Sequence, residues 1–177
     1  MILTISGLHG TGKSTIGKLV VEKLVIKYYS TGQAFRDLAK DMNLNLEEFT
    51  KYVENNPDID KKLDHKIIEI AQKGDIIIDG QLSAHFLELI ADFKILLICS
   101  LAIRVKRMAE RDNTSYDKKL KETIMREDSE LIRYKKLYNI DLKDEAKIAK
   151  LYDLIIDTEN LTIDEVLEQI LTAVKKL

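Results

Sequence analysis

One eight-residue segment limits what this chain can fold into more than any other. Gly7-Leu8-His9-Gly10-Thr11-Gly12-Lys13-Ser14 matches the pattern G-x-x-x-x-G-K-S/T. The short β-branched run Ile2–Ser6 precedes it. Ile16, Leu19, Val20, Leu24 and Val25 follow at helical spacing. The context is therefore a buried strand, a glycine loop and a helix over Gly12 to about Ile26. Glycines let successive backbone N–H groups turn inward around phosphate oxygens. The start of the helix adds the positive end of its dipole. In such a loop Lys13 reaches the β- and γ-phosphates, and Ser14 is a ligand for Mg²⁺. Gly7, Leu8, His9, Gly10, Thr11, Gly12, Lys13, Ser14 and Thr15 are the expected nucleotide-binding residues.

The rest of the chain repeats the alternation. Lys27–Ser30, Asp75–Asp79, Lys94–Cys99 and Tyr152–Asp157 read as strands. Helical patterns cover Gln33–Met42, Leu46–Asn55, Ile59–Gln72, Leu101–Arg111, Tyr116–Leu137 and Ile163–Lys176. The only proline, Pro57, separates two of them. Apolar strands alternating with helices predict an α/β P-loop NTPase fold, a five-stranded parallel sheet with helices on both faces. At 177 residues this suits a single domain. Within it, 33–73 forms an acceptor-binding insertion and about 112–126 a lid. The polar stretches Asn43–Asp58 and Asp112–Lys121 are candidate mobile regions.

Charge and cysteine usage narrow the partners. A formal charge of −2 argues against a dedicated nucleic-acid binder. No apolar run has the length a membrane helix needs, and the N-terminus lacks a signal-peptide pattern. A single cysteine suits a reducing cytoplasm. Cys99, at the end of an apolar run, reads as a buried small hydrophobe. Asp79, ending its strand, is a second candidate Mg²⁺ ligand beside Ser14.

Arginine is unevenly placed. The chain has 22 Lys and six Arg, and five of the six lie between Arg104 and Arg133. Guanidinium forks match phosphate better than ammonium groups do. Arg104, Arg107 and Arg111 fall on one helix face, as do Arg126, Glu130 and Arg133. Arg36 stands apart, just after Ser30-Thr31-Gly32.

Taken together, these residues resemble the nucleoside monophosphate kinases, above all the archaeal type of cytidylate kinase. The resemblance spans nearly the whole chain. It rests on the loop and on Tyr29-Ser30-Thr31-Gly32-Gln33-Ala34-Phe35-Arg36, then Leu46-Glu47-Glu48-Phe49 and Asn56-Pro57-Asp58-Ile59-Asp60. It continues through Asp79-Gly80-Gln81-Leu82 and Arg104-x-x-Arg107-x-x-x-Arg111. Arg126-Glu127-x-Ser129-Glu130-x-x-Arg133-Tyr134 and Tyr138-Asn139-Ile140-Asp141 complete it. It implies transfer of the ATP γ-phosphate to CMP or dCMP, with Mg²⁺, in a cytoplasmic monomer that closes around both substrates. It implies an acceptor site of Ser30, Thr31, Gly32, Arg36, Asp79, Gly80, Gln81 and Glu130. Arg107 would lie against the donor adenine. Lys13, Arg111, Arg126 and Arg133 would act on the phosphates during transfer.

One position departs from the family. Related sequences read Asp-Gly-Arg where this chain has Asp79-Gly80-Gln81, which puts acceptor phosphate affinity or base preference in doubt. Adenylate kinases carry Asp-Gly-x-Pro-Arg there, and Gln81-Leu82-Ser83 lacks both Pro and Arg. An adenylate kinase or another small-acceptor P-loop kinase, such as a shikimate kinase, is the first alternative. A nucleotide-dependent switch is the second. The string Asn-Lys-x-Asp that reads guanine in GTPases is absent, and a switch would leave the arginines without a task.

Overall fold

A computed structural model describes residues 1–177. Five strands form one parallel sheet: β1 Ile2–Ser6, β2 Lys27–Ser30, β3 Ile76–Asp79, β4 Phe93–Ile98 and β5 Leu154–Asp157, in the order β2-β3-β1-β4-β5. Nine helices connect or cover them. They are α1 Lys13–Leu24, α2 Thr31–Asp41, α3 Leu46–Glu54, α4 Asp58–Ala71, α5 Ser83–Phe86, α6 Leu101–Arg111, α7 Tyr116–Tyr138, α8 Glu145–Leu151 and α9 Ile163–Val174. The expected sheet and helices are present. A helix was expected between the third and fourth strands, without a range, and α5 stands there. The short helix α8 was not expected; at seven residues it shows too little periodicity to stand out.

Leu3, Ile5, Ile77, Ile95 and Leu97 are buried in the sheet, against Ile16 and Val20 of α1 and Val166 and Ile170 of α9. The register then places the chemistry. Ile5 and Ser30 both stand beside Asp79. All strands are parallel, so the loop after β1, the end of β2 and the end of β3 meet at one edge of the sheet. That is where open α/β sheets bind ligands.

Helices α2 to α4 carry a small core of their own, in which Phe35, Ala39, Phe49 and Val53 are buried. Phe35 and Phe49 meet edge to face at 4.7 Å. The polar stretch 43–58 is ordered by a capping box: Asn45 accepts from the Glu48 N–H while Glu48 accepts from the Asn45 N–H. The expected lid segment begins as the short turn 112–115 and continues as the first turns of α7. Lys119, which is buried, ties the turn down by pairing with Asp112 at 2.8 Å.

Candidate active site

The glycine loop wraps tightly because its glycines cannot be replaced. Gly7 has φ +146°, and a Cβ there would stand 2.4 Å from the Leu97 carbonyl oxygen. Gly10, at φ +81°, would meet the Arg104 carbonyl oxygen at 2.6 Å. Both positions need the left-handed region and a bare backbone. The loop delivers Lys13 as the first residue of α1, and its Nζ donates to the Leu8 carbonyl at 2.9 Å. Burial lowers the Lys13 pKa, against the opposing pull of Asp79 and Glu130.

Below the loop, Asp79 is 2% exposed. Its Oδ2 accepts from Ser14 Oγ at 2.6 Å, from the Tyr28 hydroxyl at 2.7 Å and from Ser30 Oγ at 3.2 Å. Ser14 and Asp79, expected as metal ligands, are thus side by side. Mg²⁺ prefers a few protein oxygens and completes its shell with phosphate and water. A hydroxyl and a carboxylate at the phosphate loop fit that ion. Tyr28 belongs to the site and was not expected there. On sequence it reads only as an aromatic residue of an edge strand.

A cavity of about 520 Å³ runs from the loop across the sheet edge to α2, α4 and α7. It gathers the loop residues His9 to Thr15, the acceptor set Ser30, Thr31, Gly32, Arg36, Asp79, Gly80, Gln81 and Glu130, and Arg107, Arg111, Arg126 and Arg133. Gly7 and Leu8, expected with them, do not line it. Four buried side-chain polar atoms in the protein lack a hydrogen-bond partner, and two of them are Thr31 Oγ1 and Gln81 Oε1. Orphaned polar atoms in a cavity are what a ligand would satisfy.

Arg36 donates to Gln33 Oε1 at 2.8 Å. Burial lowers its pKa first, and nearby Arg126 and Arg111 lower it further. Arg36, Arg111 and Arg126 all line the one cavity, a field that suits phosphate. Arg126 lies over the Phe35 ring at 5.4 Å, and its Nε donates to Glu130 Oε1 at 3.0 Å. Arg111 is exposed and pairs with Asp112 at 2.7 Å.

Glu130 is a hub. Gln81 Nε2 donates to its Oε2 at 2.6 Å, and His9 Nε2 lies 2.7 Å from the same oxygen. Its neighbours His9, Arg126 and Gln81 hold its carboxyl below the usual carboxylate range despite burial. Burial in turn lowers the His9 pKa. Gln81 Nε2 also lies 3.0 Å from His9 Nε2, so both side chains converge on Glu130 Oε2. Gln81 therefore joins a network that links the loop to α7.

At the other end, Arg107 donates to the Thr158 carbonyl at 2.6 Å and to Thr158 Oγ1 at 3.0 Å. Thr158 Oγ1 donates to the Thr11 carbonyl at 3.3 Å, bracing the loop. Leu161, Thr162, Ile163 and Val166 line this end. Thr158 follows β5 and carries no motif, so sequence gave no sign of it. Arg104 turns away from the cavity and holds structure together: it forks onto Glu127 at 2.5 and 3.2 Å and caps the His9 carbonyl at 2.8 Å. Cys99 corrects an expectation. It lies beyond the end of β4, half-buried, with Sγ 3.6 Å from Arg107 Nη1. Arg133, expected at the phosphates, lines the cavity and donates to Asp60 at 2.8 Å and to Ser129 Oγ at 2.7 Å, because α4 brings an acid beneath it.

A strand, glycine loop and helix start opening onto an arginine-lined cavity is the arrangement of a P-loop kinase. Comparison with known proteins agrees. A family model described as an AAA domain matches residues 3–135. The cytidylate kinase of Methanocaldococcus jannaschii is 39% identical over 180 residues, spanning 100% of this chain and 99% of that one. The cytidylate kinase of Sulfurisphaera tokodaii is 41% identical over 167 residues, spanning 94% and 91%. Among solved structures, a shikimate kinase from Bacteroides thetaiotaomicron superposes with TM-score 0.65 at 12% identity, over 99% of this chain and 98% of that one. That last likeness shows the fold alone. The chain belongs to the cytidylate kinase family.

Proposed function

We propose that the protein transfers the γ-phosphate of ATP to CMP or dCMP, giving ADP and CDP or dCDP. The carrying observation is the single cavity in which the loop lysine faces Arg36, Arg126 and the orphaned Thr31 hydroxyl. An acceptor phosphate bound by Arg36, Ser30, Thr31 and Gly32 would lie opposite the γ-phosphate held by Lys13 and the loop N–H groups. An acceptor oxygen attacks the γ-phosphorus, and the bond to the β–γ bridging oxygen breaks. The leaving charge stays on ADP. Lys13, Arg111 and Arg126 offset the charge on the transferred group, and positioning supplies the rest. Ser14 and Asp79 would hold Mg²⁺, which neutralises phosphate charge when bound. Arg107, braced by Thr158, would flank the adenine. Glu130, Gly80 and Gln81 would border the acceptor.

Both halves of this site come from one chain, which supports a monomer acting on free nucleotides. No helix is long and apolar enough to cross a membrane. The test is ADP release with ATP and Mg²⁺ and each of AMP, CMP, dCMP, UMP and GMP, beside a control without acceptor. CMP or dCMP should dominate. A dominant AMP signal would overturn the base assignment, and hydrolysis indifferent to acceptor would overturn the kinase reading.

A further inference from the structure

We propose that His9 is a positioning residue for phosphoryl transfer: its imidazole, with Gln81, fills the Glu130 oxygen that would otherwise close the whole Arg126 fork onto a carboxylate and away from the phosphates. This deepens the reading in which Arg126 offsets charge on the transferred group, and it rests on that reading.

Two neighbouring arginines show what a guanidinium does beside an open carboxylate. Arg104 donates from Nη1 and Nη2 to the two oxygens of Glu127. Arg111 donates from Nε and Nη2 to the two oxygens of Asp112. Both forks are closed on an acid, the geometry that planar donors favour. Arg126 differs. It makes one hydrogen bond, from Nε to Glu130 Oε1 at 3.0 Å. Oε2, which a closed fork needs, is taken: Gln81 Nε2 donates to it at 2.6 Å and His9 Nε2 lies 2.7 Å from it. Glu130 is 4% exposed, and despite that burial the charges of His9 and Arg126 hold its carboxyl below the usual range. An ionised carboxylate only accepts, so the imidazole donates to it. Both terminal nitrogens of Arg126 are left without a protein partner, on a residue that lines the cavity. The Phe35 ring, 5.4 Å from the guanidinium carbon, holds the plane of the fork.

The loop that carries His9 is held independently of the imidazole. Arg104 Nη1 also donates to the His9 carbonyl at 2.8 Å. Gly10 follows with its backbone against the Arg104 carbonyl. Glu127, which fixes Arg104, lies one turn before Glu130 on α7. One helix thus grips the His9 main chain through Arg104 and its side chain through Glu130. Truncating the side chain removes the second grip and keeps the first, so the loop still binds nucleotide. Gln81 is then the single donor on Oε2. A buried carboxylate that has lost a donor pulls harder on the cation beside it, because little solvent screens the pair. Arg126 closes on Glu130, and its terminal nitrogens leave the phosphates.

The test is steady-state kinetics with ATP and the best acceptor of the nucleotide panel. The variants are His9→Ala, His9→Asn, His9→Gln, Arg126→Ala and the pair His9→Ala with Arg126→Ala, each with a thermal melt. His9→Ala should lower kcat roughly 10- to 100-fold, the range for a displacement of about 1 Å at a reacting group. The ATP KM should change less than about threefold. His9→Asn is too short to reach Oε2 and should match His9→Ala, which keeps the comparison intact if the alanine variant melts early. His9→Gln places an amide nitrogen near the same oxygen and should return kcat to within about threefold of native. In Arg126→Ala, adding His9→Ala should cost less than about twofold more, since a residue that acts through Arg126 has nothing left to position. A full second loss there overturns the proposal, as does His9→Gln as slow as His9→Asn. A raised ATP KM at native kcat also overturns it and makes the imidazole part of the nucleotide grip. Near-native kcat in Arg126→Ala defeats the reading of Arg126 itself, a different result from an impaired Arg126→Ala in which His9 still acts on its own.

Discussion

The phenol of Tyr28 donates to the carboxylate of Asp79 across 2.7 Å, on the same oxygen that Ser14 reaches from the glycine loop. Burial and the Asp79 charge raise the Tyr28 pKa, so the phenol stays a donor. The orientation of Asp79 is thus fixed from the sheet as well as from the loop. Asp79→Asn should lower kcat by about 100-fold or more, since it removes the one carboxylate at the metal position. Tyr28→Phe leaves the Ser14 and Ser30 donors in place. Its kcat should fall less than about tenfold, while the Mg²⁺ concentration for half-maximal rate rises. A Mg²⁺ titration of both variants checks this, and an unchanged Mg²⁺ requirement in Tyr28→Phe would count against the positioning role.

Lys13 has only a backbone carbonyl as its hydrogen-bond partner before nucleotide arrives. Truncating it should therefore cost catalysis rather than folding. Lys13→Ala should lower kcat about 100-fold or more with the melting temperature nearly unchanged. ADP release and a thermal melt decide it. Near-normal turnover would remove Lys13 from the phosphate site.

Arg36 bonds only within its own helix, to Gln33. Its crowding by Arg126 and Arg111 favours an incoming anion. Arg36→Ala should raise the CMP KM at least about tenfold and the ATP KM less than about threefold, the loss expected for one charge-assisted contact. Equal changes in both constants would sink the acceptor role.

Gln81 and Arg126 bind the two oxygens of Glu130. An arginine at 81 would add a second cation there and free Arg126 toward the acceptor. Gln81→Arg should lower the CMP KM several-fold at unchanged ATP KM. An unchanged CMP KM would mean that Gln81 serves the hub alone.

The loop and Asp79 were legible in sequence because each obeys a local rule: a fixed pattern, or an acid closing an apolar run. The strands and long helices were legible because their periods repeat over enough residues. Tyr28, Asp60 and Thr158 were not. Their roles arise from register and helix packing, which join residues 51, 73 and 147 positions away from their partners. Arg133 shows the same limit from the other side. Its helix face was readable, but α4, which supplies Asp60, decides what that face meets. The lid segment read as mobile because it is polar, yet Lys119 and Asp112 tie it down.

Asp64 gives the fold its pH signature. It lies one turn beyond Asp60 on α4 and accepts a short hydrogen bond from the Tyr138 hydroxyl. Burial, with the neighbouring Asp60 charge, raises its pKa from 3.8 to about 7, against the opposing effects of Tyr138 and Arg133. The folded state therefore holds a proton that the unfolded chain has already released between about pH 4 and 7. Stability falls with rising pH wherever the native state binds more protons, so this group removes stability across that window and then levels off. Asp64→Asn cannot ionise, and its amide oxygen can still accept from Tyr138. The variant should melt above the native protein at pH 8, with the gap closing as pH falls from about 7 to about 4. Melting temperatures of both proteins from pH 4 to 8 test this, and parallel curves would show that Asp64 ionises as freely in the fold as in the open chain.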